Sequence, residues 1–282
     1  MKFKFIEERI ATIFMYLAAF IVVAFLGSIL WTIIKNGFPY LNWSMISKLP
    51  SGGFYIGGDG GILNAIVGSL YIVAGATILG LLISIPVVFY LNVYLTTHSK
   101  FAQLCRLTYD VLFGIPSIVY GAFGFTLMIY FGLRTSLLAG IIVITLLIIP
   151  IFIRSMDEAA KELPKDLMDA TYSLGATRLE ALKIFIKQIA PGIGTATFLS
   201  IGRAIGDTAG VLFTAGFTDN IPTALDEPAA TLPLSIFFQL SSPSSEVREK
   251  AYAAALLLTL IILVLSILGR IFFHKYSKNK LR

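Results

Sequence analysis

The chain has 282 residues, of which 57% are hydrophobic and 13% charged, with a formal net charge of +6. Soluble domains carry about 45–50% apolar and about 25% charged residues. This composition therefore excludes a soluble enzyme and a nucleic-acid-binding module, and Cys105, the single cysteine, excludes an intrachain disulfide scaffold.

The apolar runs predict an all-α polytopic membrane protein in contact with lipid, with six transmembrane helices. The first run extends from about Ala11 to Ile34. It is too long for the apolar core of a signal peptide and no small-x-small cleavage site follows it, so it reads as a retained helix. Further runs lie at about Ile62–Leu95, Tyr109–Phe131, Ser136–Ile153, Ile193–Phe217 and Ala251–Phe273. The chain thus divides into a first helix with its outer loop (1–60), a five-helix core (61–273) holding a long loop (154–191), and a tail (274–282). Sixteen of the 22 Lys and Arg fall in segments 1–10, 97–107, 154–191 and 269–282, which by the positive-inside rule places both termini in the cytoplasm. Trp31 and Trp43 flank the outer end of the first helix, where interfacial aromatic residues belong.

Pro86, Pro116 and Pro150 each sit within a span and read as tolerated kinks. The outer Gly57-Gly58-Asp59-Gly60-Gly61 loop is a turn rather than a phosphate loop, since no G-x-x-x-x-G-K-[ST] occurs anywhere. No bound cofactor is expected on this chain. His98 and His274 lie in a loop and the tail, so no metal site is expected either, and an intramembrane enzyme lacks its nucleophile–base pair or metal ligands.

The 154–191 loop carries its own helix signals. Pro164 can begin a helix through Asp166–Leu174, Gly175 supplies a left-handed C-terminal cap, and Thr177-Arg178-Leu179-Glu180 matches a capping box opening a second helix. That helix carries Leu179, Leu182, Phe185, Ile186 and Ile189 on one side, opposite Arg178, Lys183, Lys187 and Gln188, and Pro191 marks its end. A lone amphipathic segment is commonly an interfacial connector. A glycine turn between two capped helices also suits docking into a groove on a separate subunit. Asp169-Ala170-Thr171 followed by Gly175 resembles the E-A-A-x-x-x-G coupling signature of importer-type ABC permeases, with Asp169 for Glu, Thr171 for the second Ala and Gln188 at the family's proline position. The resemblance implies that Asp169, Ala170, Gly175, Thr177 and Glu180 engage an ATPase.

The helix starting near Gly192 carries Arg203 and Asp207. Eleven residues at about 1.5 Å each put Arg203 roughly 16 Å deep, near the middle of a hydrocarbon core about 30 Å thick. Spacing i, i+4 predicts an ion pair on one helix face, beside a small-residue seam of Gly202, Gly206 and Gly210 for helix packing. The pair is either a buried fixture that sets helix register or a pathway site where Arg203 attracts an anion that Asp207 and Thr208 help orient. A guanidinium fork suits a tetrahedral oxyanion, and the chemistry equally admits phosphate, sulfate or a carboxylate. A stand-alone secondary anion transporter or channel using Arg203 and Asp207 is the rival.

Arg203-Ala204-Ile205-Gly206-Asp207-Thr208-Ala209 followed by Leu212-Phe213-Thr214-Ala215-Gly216 resembles the R-A-x-G-E-T-A-P-L-L-x-T-A-G stretch of PstA-type phosphate permeases. Gly114-Ile115-Pro116-Ser117-Ile118-Val119-Tyr120-Gly121 is similar to that family's G-x-P-S-I-V-x-G segment, and Leu232-Pro233-Leu234-Ser235-Ile236 fits too. The departures are Asp207 for Glu and Gly210-Val211 for Pro-Leu, and PstC-type subunits share much of this vocabulary. The resemblance implies the type I ABC importer permease fold in a prokaryotic plasma membrane. It also implies a heterodimer with a PstC-type permease, a PstB-type ATPase dimer that uses ATP and Mg, and a PstS-type phosphate-binding protein.

Overall fold

A computed structural model describes residues 2–51, 60–95, 99–164 and 166–277. The turn predicted at Gly57-Gly58-Asp59 lies outside the described residues. Those described form helices joined by turns and one long non-helical stretch, 206–231, with one isolated antiparallel bridge between Pro50 and Gly60. The helices are α1 (Lys2–Gly37), α2 (Trp43–Ser47), α3 (Leu63–Phe89), α4 (Lys100–Gly114), α5 (Ser117–Tyr130), α6 (Leu137–Lys161), α7 (Asp166–Ser173), α8 (Arg178–Ile205), α9 (Leu232–Leu240) and α10 (Ser245–Ser277). Among the described residues five helices are long and apolar enough to cross a membrane: α1, α3, α6, α8 and α10. The pair α4–α5 makes a sixth only if the two are counted as one broken span, for their axes differ by 98°.

Pro116 is therefore not a kink within a span but the point where a helix stops. The residue before a proline is pushed out of the helical region, and Ile115 is extended (ψ 130°), as is Pro116 (ψ 139°). Two extended residues in succession redirect the chain. The Tyr120 hydroxyl spans the break by donating to the Leu112 carbonyl at 2.9 Å, which gives a partner to a carbonyl at the open end of α4. Pro86 and Pro150 stay inside α3 and α6, as expected.

Pro191 does not end a helix either. α8 passes straight through it, 28 residues from Arg178 to Ile205, or about 42 Å. A proline removes one backbone hydrogen bond, but Ala181, Phe185, Ile189 and Ala196 on either side of it are buried, and packing of that stripe holds the helix together. At the far end the predicted span to Phe217 is too long by about three turns, because the chain leaves helical geometry at Gly206.

α3 and α6 lie side by side at the centre, with α8, α9 and α10 around them. Ile72, Ile144, Ile148, Phe152 and Met156 are fully buried between them. In lipid this arrangement gains from van der Waals fit rather than from escaping water, so side-chain shape carries it. α1 is the exception: its apolar surface is bare along the span, and among the described residues α10 and the following turn are its main neighbours. The chain direction alternates from span to span. The ends of α3 and α6 and the starts of α4 and α8 consequently share one end of the bundle, the basic end, with Arg106, Arg154, Lys161 and Arg178.

Candidate functional site

Residues 206–231 fold into the half of the bundle opposite the basic end. They give partners to the amides that open α6: Ser136 donates to the Thr214 carbonyl at 2.9 Å, Leu137 to that of Glu227 at 2.7 Å and Leu138 to that of Leu225 at 2.9 Å. The Asn64 side-chain amide donates to the Thr218 carbonyl at 2.6 Å, and the Leu232 amide to the Ser69 hydroxyl at 2.8 Å. The segment is thus fastened to both central helices and forms a rigid floor under the end of α8.

On that floor Arg203 Nη1 donates to Asp207 Oδ1 at 3.0 Å. The predicted pair exists, but its geometry differs from the prediction. Arg203 occupies the last turn of α8, where a cation complements the helix dipole, whereas Asp207 lies beyond the helix in the following turn. Asp207 Oδ2 accepts the Gly210 amide at 2.7 Å, so both carboxylate oxygens are engaged. The Asp207 side chain is 2% exposed and that of Arg203 is 44% exposed. Asp207 is thus an anchor inside the chain and Arg203 is the member of the pair presented outward. Ile72 and Val73 of α3 lie at the level of Asp207. Ile72 is nine residues into the 27-residue α3, so the pair sits about 14 Å from that end, roughly a third of the way along the helix. Thr208 is half-buried in the same turn.

The glycine seam is not a helix contact within this chain. A Cβ at Gly202 would meet nothing within 4 Å, and Gly206 is the C-cap of α8 with φ −94° and ψ −1°. Because the helix ends at Ile205, the three glycines cannot share a helix face. Gly210 serves a different purpose: a Cβ there would sit 2.6 Å from Asp207 Oδ2 and 3.3 Å from Ile144 Cδ1. Gly210→Ala is expected to push the carboxylate off its amide and cost about 1–3 kcal/mol, as overpacking does. A lower thermal midpoint of the purified protein checks this.

At the basic end the predicted helix–turn–helix is present. Gly175 has φ +78°, a conformation that a side chain would strain, and its amide donates to the Tyr172 carbonyl at 2.9 Å. The Thr177 hydroxyl accepts the Glu180 amide at 3.4 Å, while the Glu180 carboxylate accepts the Thr177 amide at 2.8 Å. That reciprocal box fixes the turn. Asp169, Ala170, Gly175, Thr177 and Glu180 are all exposed around it. The buried stripe of α8 is Ala181, Phe185 and Ile189, with Leu182 and Ile186 half-buried. Leu179, expected on that stripe, is instead 72% exposed, and Leu174 on the turn is 89% exposed. The tip therefore carries two uncovered leucines on a rigid capped turn.

A second constellation was not anticipated. Asp157 of α6 has no exposed surface, yet it accepts from Arg106 Nε at 3.0 Å, Arg106 Nη2 at 3.1 Å, Asn92 Nδ2 at 2.8 Å, the Tyr109 hydroxyl at 2.7 Å and Lys161 Nζ at 2.9 Å. Asn92 reaches it because the chain after α3 continues as a π-turn, Tyr90–Tyr94, which shifts the register of the last side chains. Tyr94 of that turn packs under the Arg178 guanidinium at 5.5 Å, and Phe89 meets Phe185 edge-on at 5.3 Å. The Tyr172 phenol of α7 is pushed above its ordinary pKa by burial first and by neighbouring Tyr94 next. One signal was available in the sequence. Asp157 shares a helix face with the buried Ile153 and Ala160, where an unpaired charge would be costly.

The chain matches the family described as the binding-protein-dependent transport system inner membrane component over residues 95–278. It is 34% identical over 262 residues to the phosphate transport system permease protein PstA of Haemophilus influenzae, covering 92% of each chain. It is 32% identical to PstA of Pasteurella multocida, covering 97% of this chain and 96% of that one. It is 37% identical to PstA of Yersinia pestis over 217 residues, covering 77% of this chain and 73% of that one. Among solved structures it resembles a chain of the inward-facing MetNI methionine ABC transporter. The TM-score there is 0.60 at 18% identity, over 76% of this chain and 96% of that one, a likeness of fold.

Proposed function

The chain belongs to the binding-protein-dependent transport system inner membrane components, in their PstA-type phosphate permease branch, and we propose that it carries inorganic phosphate past Arg203. It is a multi-pass membrane protein and the permease subunit of a phosphate ABC importer. The observation that carries the pathway reading is the asymmetry of the ion pair: a buried, doubly engaged Asp207 holding a half-exposed Arg203 well inside the bundle.

Bonding to Asp207 uses one edge of the guanidinium. The planar group can present further N–H donors to a tetrahedral oxyanion. The carboxylate also offsets the arginine charge, so phosphate is attracted without being trapped, as a conduction site requires. The bare surface around Gly202, Arg203 and Gly206 faces a second, PstC-type permease in this reading, and phosphate moves between the two subunits. A PstS-type binding protein delivers the ion from outside a prokaryotic plasma membrane, and both termini are cytoplasmic.

Work comes from a PstB-type ATPase dimer, which binds ATP and Mg. The Leu174–Leu179 tip docks into a groove on that subunit, with Asp169, Ala170, Thr177 and Glu180 forming the rim. α8 then serves as a rod: it begins at the tip, at Arg178, and reaches Arg203 25 residues later, about 37 Å away. Movement of the tip is delivered to the site through one continuous helix.

Purification of the tagged chain from mild detergent tests the assembly. Mass spectrometry should find a second permease and an ATPase bearing a Walker A motif. Leu179→Asp is expected to lower recovery of the ATPase about tenfold while the second permease remains. A chain that purifies alone and moves anions down an ion gradient would instead be a stand-alone transporter.

A further inference from the structure

Asp157 is a costly residue to keep. A carboxylate sealed from solvent pays a desolvation penalty that its partners must offset, and a buried apolar residue would fill the same place more simply. Here five hydrogen-bond and ionic contacts converge on one side chain from three different elements: Asn92 from the π-turn after α3, Arg106 and Tyr109 from α4, and Lys161 from its own helix. The same π-turn reaches the other way and touches the start of α8, through Tyr94 against Arg178 and through Phe89 against Phe185. A cavity of about 350 Å³ lies beside the cluster, bounded by Asn92, Arg106 and Lys161 on one side and by Met168, Asp169 and Phe185 of the helix–turn–helix on the other.

These contacts form a contiguous path from the coupling turn into the membrane helices, and it does not run along α8. We propose that Asp157 is a positioning residue for energy coupling: its clamp binds the basic ends of α3, α4 and α6 into one body that moves with α7 and the start of α8. The clamp rests on the coupling role assigned above to the helix–turn–helix. Without it, the tip can still dock and α8 can still shift, but α3 and α6 no longer follow. Charged and geometrically exact contacts suit this task better than apolar packing, because they fix orientation as well as proximity.

The test uses the complete complex with its permease and ATPase partners in proteoliposomes. Radiolabelled phosphate taken up and ATP hydrolysed are counted in the same vesicles. Asn92→Ala removes the link from α3 while leaving every charge in place, and Asp157→Asn keeps the side-chain volume while removing the anion. Both are expected to leave ATP hydrolysis within about twofold and to lower phosphate moved per ATP, Asn92→Ala about fivefold and Asp157→Asn more. A purely structural role would change the amount of assembled complex but not this ratio. An unchanged ratio in assembled Asn92→Ala overturns the proposal, and Asn92→Ala decides the matter alone if Asp157→Asn does not assemble. A wild-type complex whose uptake is independent of ATP would overturn the coupling reading itself, a result distinguishable from either variant's.

Discussion

Arg203→Gln is expected to lower phosphate uptake by more than about 100-fold while the complex assembles in normal amounts. Glutamine keeps a polar amide that can still donate to Asp207, but it is shorter and lacks the charge and the fork. Its effect on folding should be small, since the Arg203 side chain is 44% exposed and hardly any structure is built on it. The buried partner is better protected than the pairing suggests, because Asp207 keeps the Gly210 amide at 2.7 Å. Assembly, judged by co-purification, and transport, judged by uptake of radiolabelled phosphate, should therefore separate cleanly. Normal uptake by this variant would make the arginine a structural fixture.

Asp157→Ala is expected to show the reverse pattern, a loss of stability of about 3–5 kcal/mol from removing one partner of a buried charge cluster. The lower end of that range is favoured by the partners' partial hydration, the Arg106 side chain being 17% and that of Lys161 42% exposed. Chemical unfolding in detergent, followed by helical signal, measures the shift. The pair Arg154–Asp110 provides a control a short distance away. Its ions stand 3.4 Å apart with side chains 49% and 51% exposed, and exposed pairs contribute only about 0–1 kcal/mol. Arg154→Ala should accordingly leave the unfolding midpoint nearly unchanged. Equal losses from both substitutions would mean that burial does not distinguish the two pairs.

The parts of this molecule that were legible in its sequence are those set by neighbours in the chain. Apolar runs long enough to span lipid located the principal helices, and Gly175 with Thr177 and Glu180 located a capped turn, since each signal is contiguous in the chain. The Arg203–Asp207 contact was legible for the same reason, although it crosses a helix end instead of lying along a helix. The prolines were harder to read. Pro116 breaks the chain by 98° while Pro191 leaves α8 intact, and the difference lies in what surrounds them, a buried stripe on α8 against an open end on α4. The distant partners of Asp157 were beyond local reasoning. They lie 65 and 51 positions away at Asn92 and Arg106, and only the fold brings them together. The first part of the floor, 206–217, was misread as a continuation of the helix because its residues are apolar, yet the chain folds back on itself there and the floor's carbonyls accept from α3 and from the start of α6.

ATP-driven phosphate uptake is the most direct measurement of the central claim. The chain, its permease and ATPase partners and a phosphate-binding protein are reconstituted in liposomes, with ATP and Mg supplied to the ATPase side. Radiolabelled phosphate should accumulate only when ATP is hydrolysed, and the Arg203→Gln complex should hydrolyse ATP without accumulating it. Accumulation by this chain alone, driven by an ion gradient and indifferent to ATP, would contradict the account.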